Sequence, residues 1–205
     1  MPGKSPTQRE IDREVQRDAY SQASGVAEQR RVTVVIALNA SDFDQWCKDN
    51  GKSPRDRNFL MAYSHVAHDC KLGNNITMAN SVALGGHIVI EDYAILGGMA
   101  AVHQFVRIGA YAIVGGLTGV AMDILPYVTA SGSRAQLYGL NLVGLKRRGF
   151  SEEAIATLKK AYKTIFRSGL TMEEALRRVQ DEFPLSREVG HLVEFIGSSK
   201  RGITR

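Results

Sequence analysis

Every sixth residue from Leu60 to Val120 is aliphatic or methionine: Leu60, Val66, Leu72, Met78, Leu84, Ile90, Leu96, Val102, Ile108, Val114 and Val120. With 44% of the chain hydrophobic, eleven such hits in a row arise by chance about once in ten thousand trials. Gly73, Gly85, Gly97, Gly109 and Gly115 directly follow five of them. Four residues after the apolar position come Ile76, Val82, Ile88, Ala94, Ala100, Val106, Ala112 and Thr118, all small or β-branched. Neither a helical period of 3.6 nor a strand period of 2 returns at six with glycine. A short strand followed by a tight glycine-assisted corner does. Three hexads close an 18-residue triangular coil, and stacked coils form a parallel β-helix with the aliphatic side chains along its axis. Hexads of this kind go with the left-handed form, an exception to the right-handed crossover rule. The fold class is therefore β plus α: a left-handed parallel β-helix of a little under four coils, ended by Pro126, then a helical region.

The helical region carries its own punctuation. Ser151 caps a helix to about Arg167, with Ile155, Leu158, Tyr162, Ile165 and Phe166 on one stripe. Thr171 and Glu174 form a capping box for a second helix to about Phe183, which Pro184 follows. A third helix is expected at about 187–196, with His191 in a structural role. The expected division is an N-terminal segment 1–57, the β-helix 58–126 and a connecting and helical part 127–205. In the first segment, 1–31 reads as a polar helix, VTVVIALN (32–39) as a buried strand, and the stretch to Asn50-Gly51 as a short helix with Phe43 and Trp46 as a small core.

The 18-residue register places polar side chains as well. His68, Asp69, His87, His103 and Gln104 fall within one residue of the same place on three successive coils, whereas His65 belongs to another part of the coil. With coils about 4.8 Å apart, three imidazoles form a column about 10 Å long. Histidine moves protons near neutral pH, and Asp69 beside His68 suits the carboxylate that makes a ring nitrogen a better base. Stacked histidines also suit zinc, and exposed corner histidines can be no more than polar surface.

The stretches NFLMAYSHVAHDC, GGHIVIEDYAILGGMAAVHQF and YGLNLVGLKRRGF closely resemble the UDP-N-acetylglucosamine O-acyltransferases of lipid A biosynthesis, from about Asn58 to Arg205. The resemblance implies transfer of an (R)-3-hydroxyacyl chain from acyl carrier protein to the 3-hydroxyl of UDP-N-acetylglucosamine. His68 then aligns with the general base and Asp69 with the carboxylate that orients it. His65, His87, His103 and Gln104 align with substrate contacts, and Gly86 with a backbone oxyanion donor. Asn141, Arg147 and Arg148 match sugar-nucleotide or carrier-protein contacts, and Gly116 aligns with a position limiting acyl length. Homotrimers with the site between neighbouring subunits are implied, and no metal or redox cofactor. Residues 1–57 do not match, so the β-helix is expected to be truncated relative to the family, with the segment as a cap over its end coil. A catalytically impaired β-helix that binds carrier protein or sugar nucleotide is the alternative, and a zinc-dependent hydratase a third reading.

Composition narrows the classes further. Two cysteines form no disulfide framework, and the first residues lack the apolar core of a secretion signal, so a cytoplasmic protein without membrane insertion is expected. The net charge of +5 is uneven: residues 58–125 hold two Lys/Arg against four Asp/Glu, residues 126–205 fourteen against eight. A basic final third suits an acidic protein partner, and nothing in the pattern indicates a nucleic-acid site.

Overall fold

The computed structural model describes residues 58–205, so the expected helices and strand of the N-terminal segment, and its capping role, lie outside the described residues. Eleven two-residue strands follow one another at hexad spacing: β1 (Phe59–Leu60), β2 (His65–Val66), β3 (Lys71–Leu72), β4 (Thr77–Met78), β5 (Ala83–Leu84), β6 (Val89–Ile90), β7 (Ile95–Leu96), β8 (Ala101–Val102), β9 (Arg107–Ile108), β10 (Ile113–Val114) and β11 (Gly119–Val120). From β1 to β8 each pairs in parallel with the strand three further on, Phe59 opposite Thr77 and His65 opposite Ala83, which is the 18-residue register. Three flat faces result: β1-β4-β7-β10, β2-β5-β8-β11 and β3-β6-β9. The architecture is a left-handed parallel β-helix of about four turns followed by helices.

The second residue of nearly every strand and the residue four further on point inward. From Ile76 to Val120 these side chains are at most 4% exposed. Val66 and Leu72, on the first coil, are only partly buried. A continuous aliphatic axis is thus the core, and each buried Leu, Ile or Val contributes about 1.5–3 kcal/mol of transfer free energy.

The corners differ from the expectation based on glycine. The left-handed residue of each corner is not glycine: Tyr63, Asp69, Asn75, Ser81, His87, Tyr93, Met99, Phe105, Tyr111 and Leu117 have φ between 57° and 66°. That conformation costs an L-residue roughly 1–2 kcal/mol. The compensation is a backbone bond from the corner N–H to the coil before, as in His87 N–H to the His68 carbonyl at 3.0 Å and Leu117 N–H to the Gly98 carbonyl at 2.9 Å. The repeating glycines serve close approach instead. A Cβ on Gly85 would stand 2.8 Å from the backbone nitrogen of Gln104, because the following coil passes over it.

Beyond Pro126 the chain forms an antiparallel hairpin, β12 (Val128–Ser131) and β13 (Gln136–Leu140), which the hexad pattern does not foretell. β12 joins the first face by pairing with β10. A short helix α1 (Leu142–Arg147), also unforeseen, precedes α2 (Glu152–Arg167), α3 (Met172–Glu182) and α4 (Arg187–Gly197). α2 and α3 agree with the capping signals, the Ser151 oxygen accepting from Ala154 N–H and Thr171 with Glu174 closing a reciprocal capping box, and α4 lies where a third helix is expected.

The helices are bolted to the β-helix by polar contacts. Asp123, 1% exposed, accepts from the Arg107 N–H and the Ser199 hydroxyl, and its own backbone pairs with Gly202 and Thr204. Glu91 accepts from the Ala110 N–H and from His191 Nε2 at 2.9 Å, and His191 Nδ1 accepts from the Tyr127 hydroxyl at 2.8 Å. Burial, reinforced by Glu188 and Glu91, pushes the Tyr127 hydroxyl far up, so it remains a donor. His191 therefore has the structural role its place on α4 suggests.

Candidate active site on one corner of the prism

The corner after the β2-β5-β8 strands gathers the polar groups. Asp69, His87 and Phe105 occupy the same left-handed place on three successive coils. His68 precedes Asp69, and its Nδ1 lies 2.8 Å from Asp69 Oδ2. The hydrogen bond from His68 holds the Asp69 carboxyl below its ordinary range; burial opposes it, and the charges of His87 and His68 add smaller lowering effects. An ionised Asp69 can only accept, so Nδ1 is the donor of this contact, and in the neutral ring that leaves the lone pair on Nε2.

His87 meets His68 edge to face, ring centres 4.9 Å apart and planes at 88°, while its Nε2 stands 3.8 Å from the same Asp69 oxygen. All three side chains are about half exposed, at 56% for His68, 43% for His87 and 44% for Asp69. Gly86 lies directly against the His68 ring. A Cβ there would fall 2.7 Å from Cε1 and 2.8 Å from Nε2, so glycine leaves the ring its place. The Gly86 carbonyl accepts from Phe105 N–H, whereas its N–H has no acceptor among the described residues.

The third ring of the column is not His103. Phe105 stacks on His87 at 4.8 Å and 9°, and His103 instead sets Nδ1 3.2 Å from the Gln104 carbonyl oxygen. Phe105 carries no polar group to mark it in the sequence, yet it stands 18 residues after His87. His103 and Gln104 are exposed on the coil above Gly85 and Gly86. His65 is exposed on β2, and its strand neighbours along that face are Ala83, Ala101 and Gly119. This row of small residues leaves a shallow strip beside the histidine corner.

The remaining candidates lie elsewhere. Gly116 is exposed at the opposite edge of the same face, in the last coil. The Asn141 side chain is committed at both ends, donating to the Tyr111 carbonyl at 2.9 Å and accepting from Gly144 N–H to cap α1. Arg148 lies over the ring of Tyr93 at 4.8 Å, and Arg147 is exposed at the end of α1. These three sit by a different corner, where Tyr93 and Tyr111 stack and Phe150 closes on Tyr111. One chain therefore holds His68, Asp69, His87 and Gly86 together and keeps Asn141, Arg147, Arg148 and Gly116 apart from them. Among the described residues, His68, Asp69 and His87 are also the group able to hold a metal ion, with donor atoms within 4.8 Å of one another.

Residues 123–204 match the family model described as UDP N-acetylglucosamine O-acyltransferase, domain 2. The acyl-[acyl-carrier-protein]–UDP-N-acetylglucosamine O-acyltransferase of Thermodesulfovibrio yellowstonii is 58% identical over 150 residues. Residues 58–205 match the UDP-N-acetylglucosamine O-acyltransferase family. The match covers 73% of this chain and 58% of that relative, so the chain spans little more than half of its relative's length. Two solved UDP-N-acetylglucosamine acyltransferases agree in shape. The enzyme of Bacteroides fragilis superposes with a TM-score of 0.70 at 42% identity, over 72% of this chain and 58% of that one. The Arabidopsis enzyme gives 0.69 at 38%, over 72% and 55%. Among the described residues no helix is long and apolar enough to cross a membrane.

Proposed function

We propose that this chain transfers a hydroxyacyl group from the thioester of acyl carrier protein to the 3-hydroxyl of UDP-N-acetylglucosamine, with His68 as general base. The observation that carries the reading is the His68 Nδ1 to Asp69 contact of 2.8 Å, which leaves Nε2 free beside Gly86. The names of the relatives support the substrates and the reaction class.

In this reading Nε2 takes the hydroxyl proton as the sugar oxygen attacks the thioester carbonyl. Asp69 stabilises the imidazolium that forms. The Gly86 N–H, unspent within the described residues, donates to the carbonyl oxygen as it gains charge. Collapse of the tetrahedral adduct breaks the carbon–sulfur bond, and the departing thiolate recovers the proton from Nε2. An ester and a free thiol result, with no redox change. His87 holds a place beside His68 and Asp69, and His65, His103 and Gln104 line the approach to the base. Arg147 and Arg148, at the end of the helix that Asn141 caps, bind nucleotide or carrier protein from a neighbouring copy, and Gly116 leaves room for a long acyl tail.

A homotrimer follows from the same reading. A third corner exposes Tyr63, Met99 and Leu117 in register, 87%, 62% and 69% accessible, which is apolar surface suited to burial against another copy. The basic helices suit an acidic carrier protein, and the reaction belongs in the cytoplasm.

Incubating the chain with UDP-N-acetylglucosamine and hydroxyacyl carrier protein tests this, with acylated sugar nucleotide measured by mass spectrometry. Product that disappears in His68→Ala is the expected result. No product from the unaltered chain, with either substrate still bound, would support the binding-module alternative.

A further inference from the structure

We propose that the His68–Asp69–His87 corner is a zinc site, and that zinc there switches the base off. The binding half stands on geometry alone, and the inhibitory half rests on the acyltransferase reading. Zinc binds imidazole nitrogen and carboxylate oxygen at about 2.0–2.2 Å, so tetrahedral ligands stand roughly 3.3 Å apart. Here Asp69 Oδ2 lies 2.8 Å from His68 Nδ1 and 3.8 Å from His87 Nε2, values on either side of that spacing. All three donors lie within 4.8 Å of one another.

The backbone holds these donors in register while their side chains keep some freedom. Asp69 and His87 occupy equivalent left-handed corners, and the His87 N–H bonds the His68 carbonyl at 3.0 Å. Half-exposed side chains on that frame can close around an ion by changes of about 0.5 Å at the two Asp69 contacts and at most about 1.5 Å between the ring nitrogens. Two nitrogens and one carboxylate oxygen form a borderline donor set that suits zinc and disfavours magnesium and calcium, which take oxygen. Phe105 stacked on His87 keeps that ring's edge toward Asp69. The exposed side of the corner leaves a fourth position for water.

The consequence for the base is tautomeric. With Asp69 as its partner, His68 carries its proton on Nδ1 and keeps Nε2 free. With zinc on Nδ1, the neutral ring must carry its proton on Nε2, and the lone pair that takes the hydroxyl proton is gone. Zinc also engages the Asp69 charge that stabilised the imidazolium.

Equilibrium dialysis of the full chain against zinc chloride reads binding without reference to turnover. The expected result is one zinc per chain, weakened at least about tenfold in both Asp69→Asn and His87→Ala and unchanged in His103→Ala, with circular dichroism confirming each fold. Turnover should fall as zinc saturates the corner, recover on chelation and ignore the same concentration of magnesium. Absence of saturable binding, or binding indifferent to Asp69→Asn and His87→Ala, would overturn the site. Full turnover by the zinc-loaded chain would overturn the switch. An inactive chain that still binds zinc through these residues supports the site and counts against the acyltransferase reading instead.

Discussion

Two corners of this prism are built by the same rule and end in opposite circumstances. At one, Asp69, His87 and Phe105 stand above one another; one hexad later on each coil, Asn75, Tyr93 and Tyr111 do the same. The stacking is numerically identical, 4.8 Å and 9° for both His87–Phe105 and Tyr93–Tyr111. Yet the tyrosine corner is sealed by Phe150, Tyr127 and Arg148 from the following segments, while the histidine corner remains half exposed. Repetition fixes where side chains stand. The non-repeating C-terminal part decides which corner is packed and which is left exposed.

Substitutions that separate the two corners sharpen this contrast. The largest effect belongs to His68→Ala, expected to reduce turnover about a thousandfold, as loss of a general base does, with the melting temperature nearly unchanged. Parallel activity and melting measurements check it, and a large fall in melting temperature would make His68 structural. Tyr111→Ala should do the reverse, costing about 3 kcal/mol in urea unfolding while the folded fraction retains its turnover. Gly86→Ala is expected to lower kcat by about tenfold to a hundredfold by pushing the His68 ring aside, again without a matching loss of stability. Restored turnover in that variant would show that the ring's position does not matter.

Thr171→Ala, far from both corners, should cost only about 1 kcal/mol through loss of its cap, read in the same unfolding experiment. The smallest effect concerns pH. The folded-state pKa of Asp69 is lowered, so its contribution is present above the ordinary carboxylate range and fades only as pH falls through the lowered value. The difference in melting temperature between the natural chain and Asp69→Asn should therefore stay constant from neutral pH down to that range and close below it.

The coil register was legible because six divides eighteen: one aliphatic position in six fixes both the axis and the faces. His68, Asp69 and His87 could be placed together on that basis alone. Spacing cannot tell whether a glycine assists a corner through its φ or by sparing a crowded Cβ, and Gly85 is the second kind. His103 was placed in the column for a similar reason. A register accurate to one residue cannot separate it from Phe105, which stands at the stacked position. Capping signals at Ser151 and Thr171 identified α2 and α3, whereas α1 hid within a motif read only for its resemblance. The commitment of Asn141 to Tyr111 and Gly144 depends on the hairpin, which no periodicity announces.

Nitrogen-15 spectra of the imidazoles test the central claim most directly, since they report which ring nitrogen of His68 carries the proton. The account expects Nδ1–H with a free, pyridine-like Nε2 at pH above imidazole titration, and loss of that preference in Asp69→Asn. A His68 ring protonated on Nε2 in the metal-free chain would contradict it, because no lone pair would face the hydroxyl to be activated.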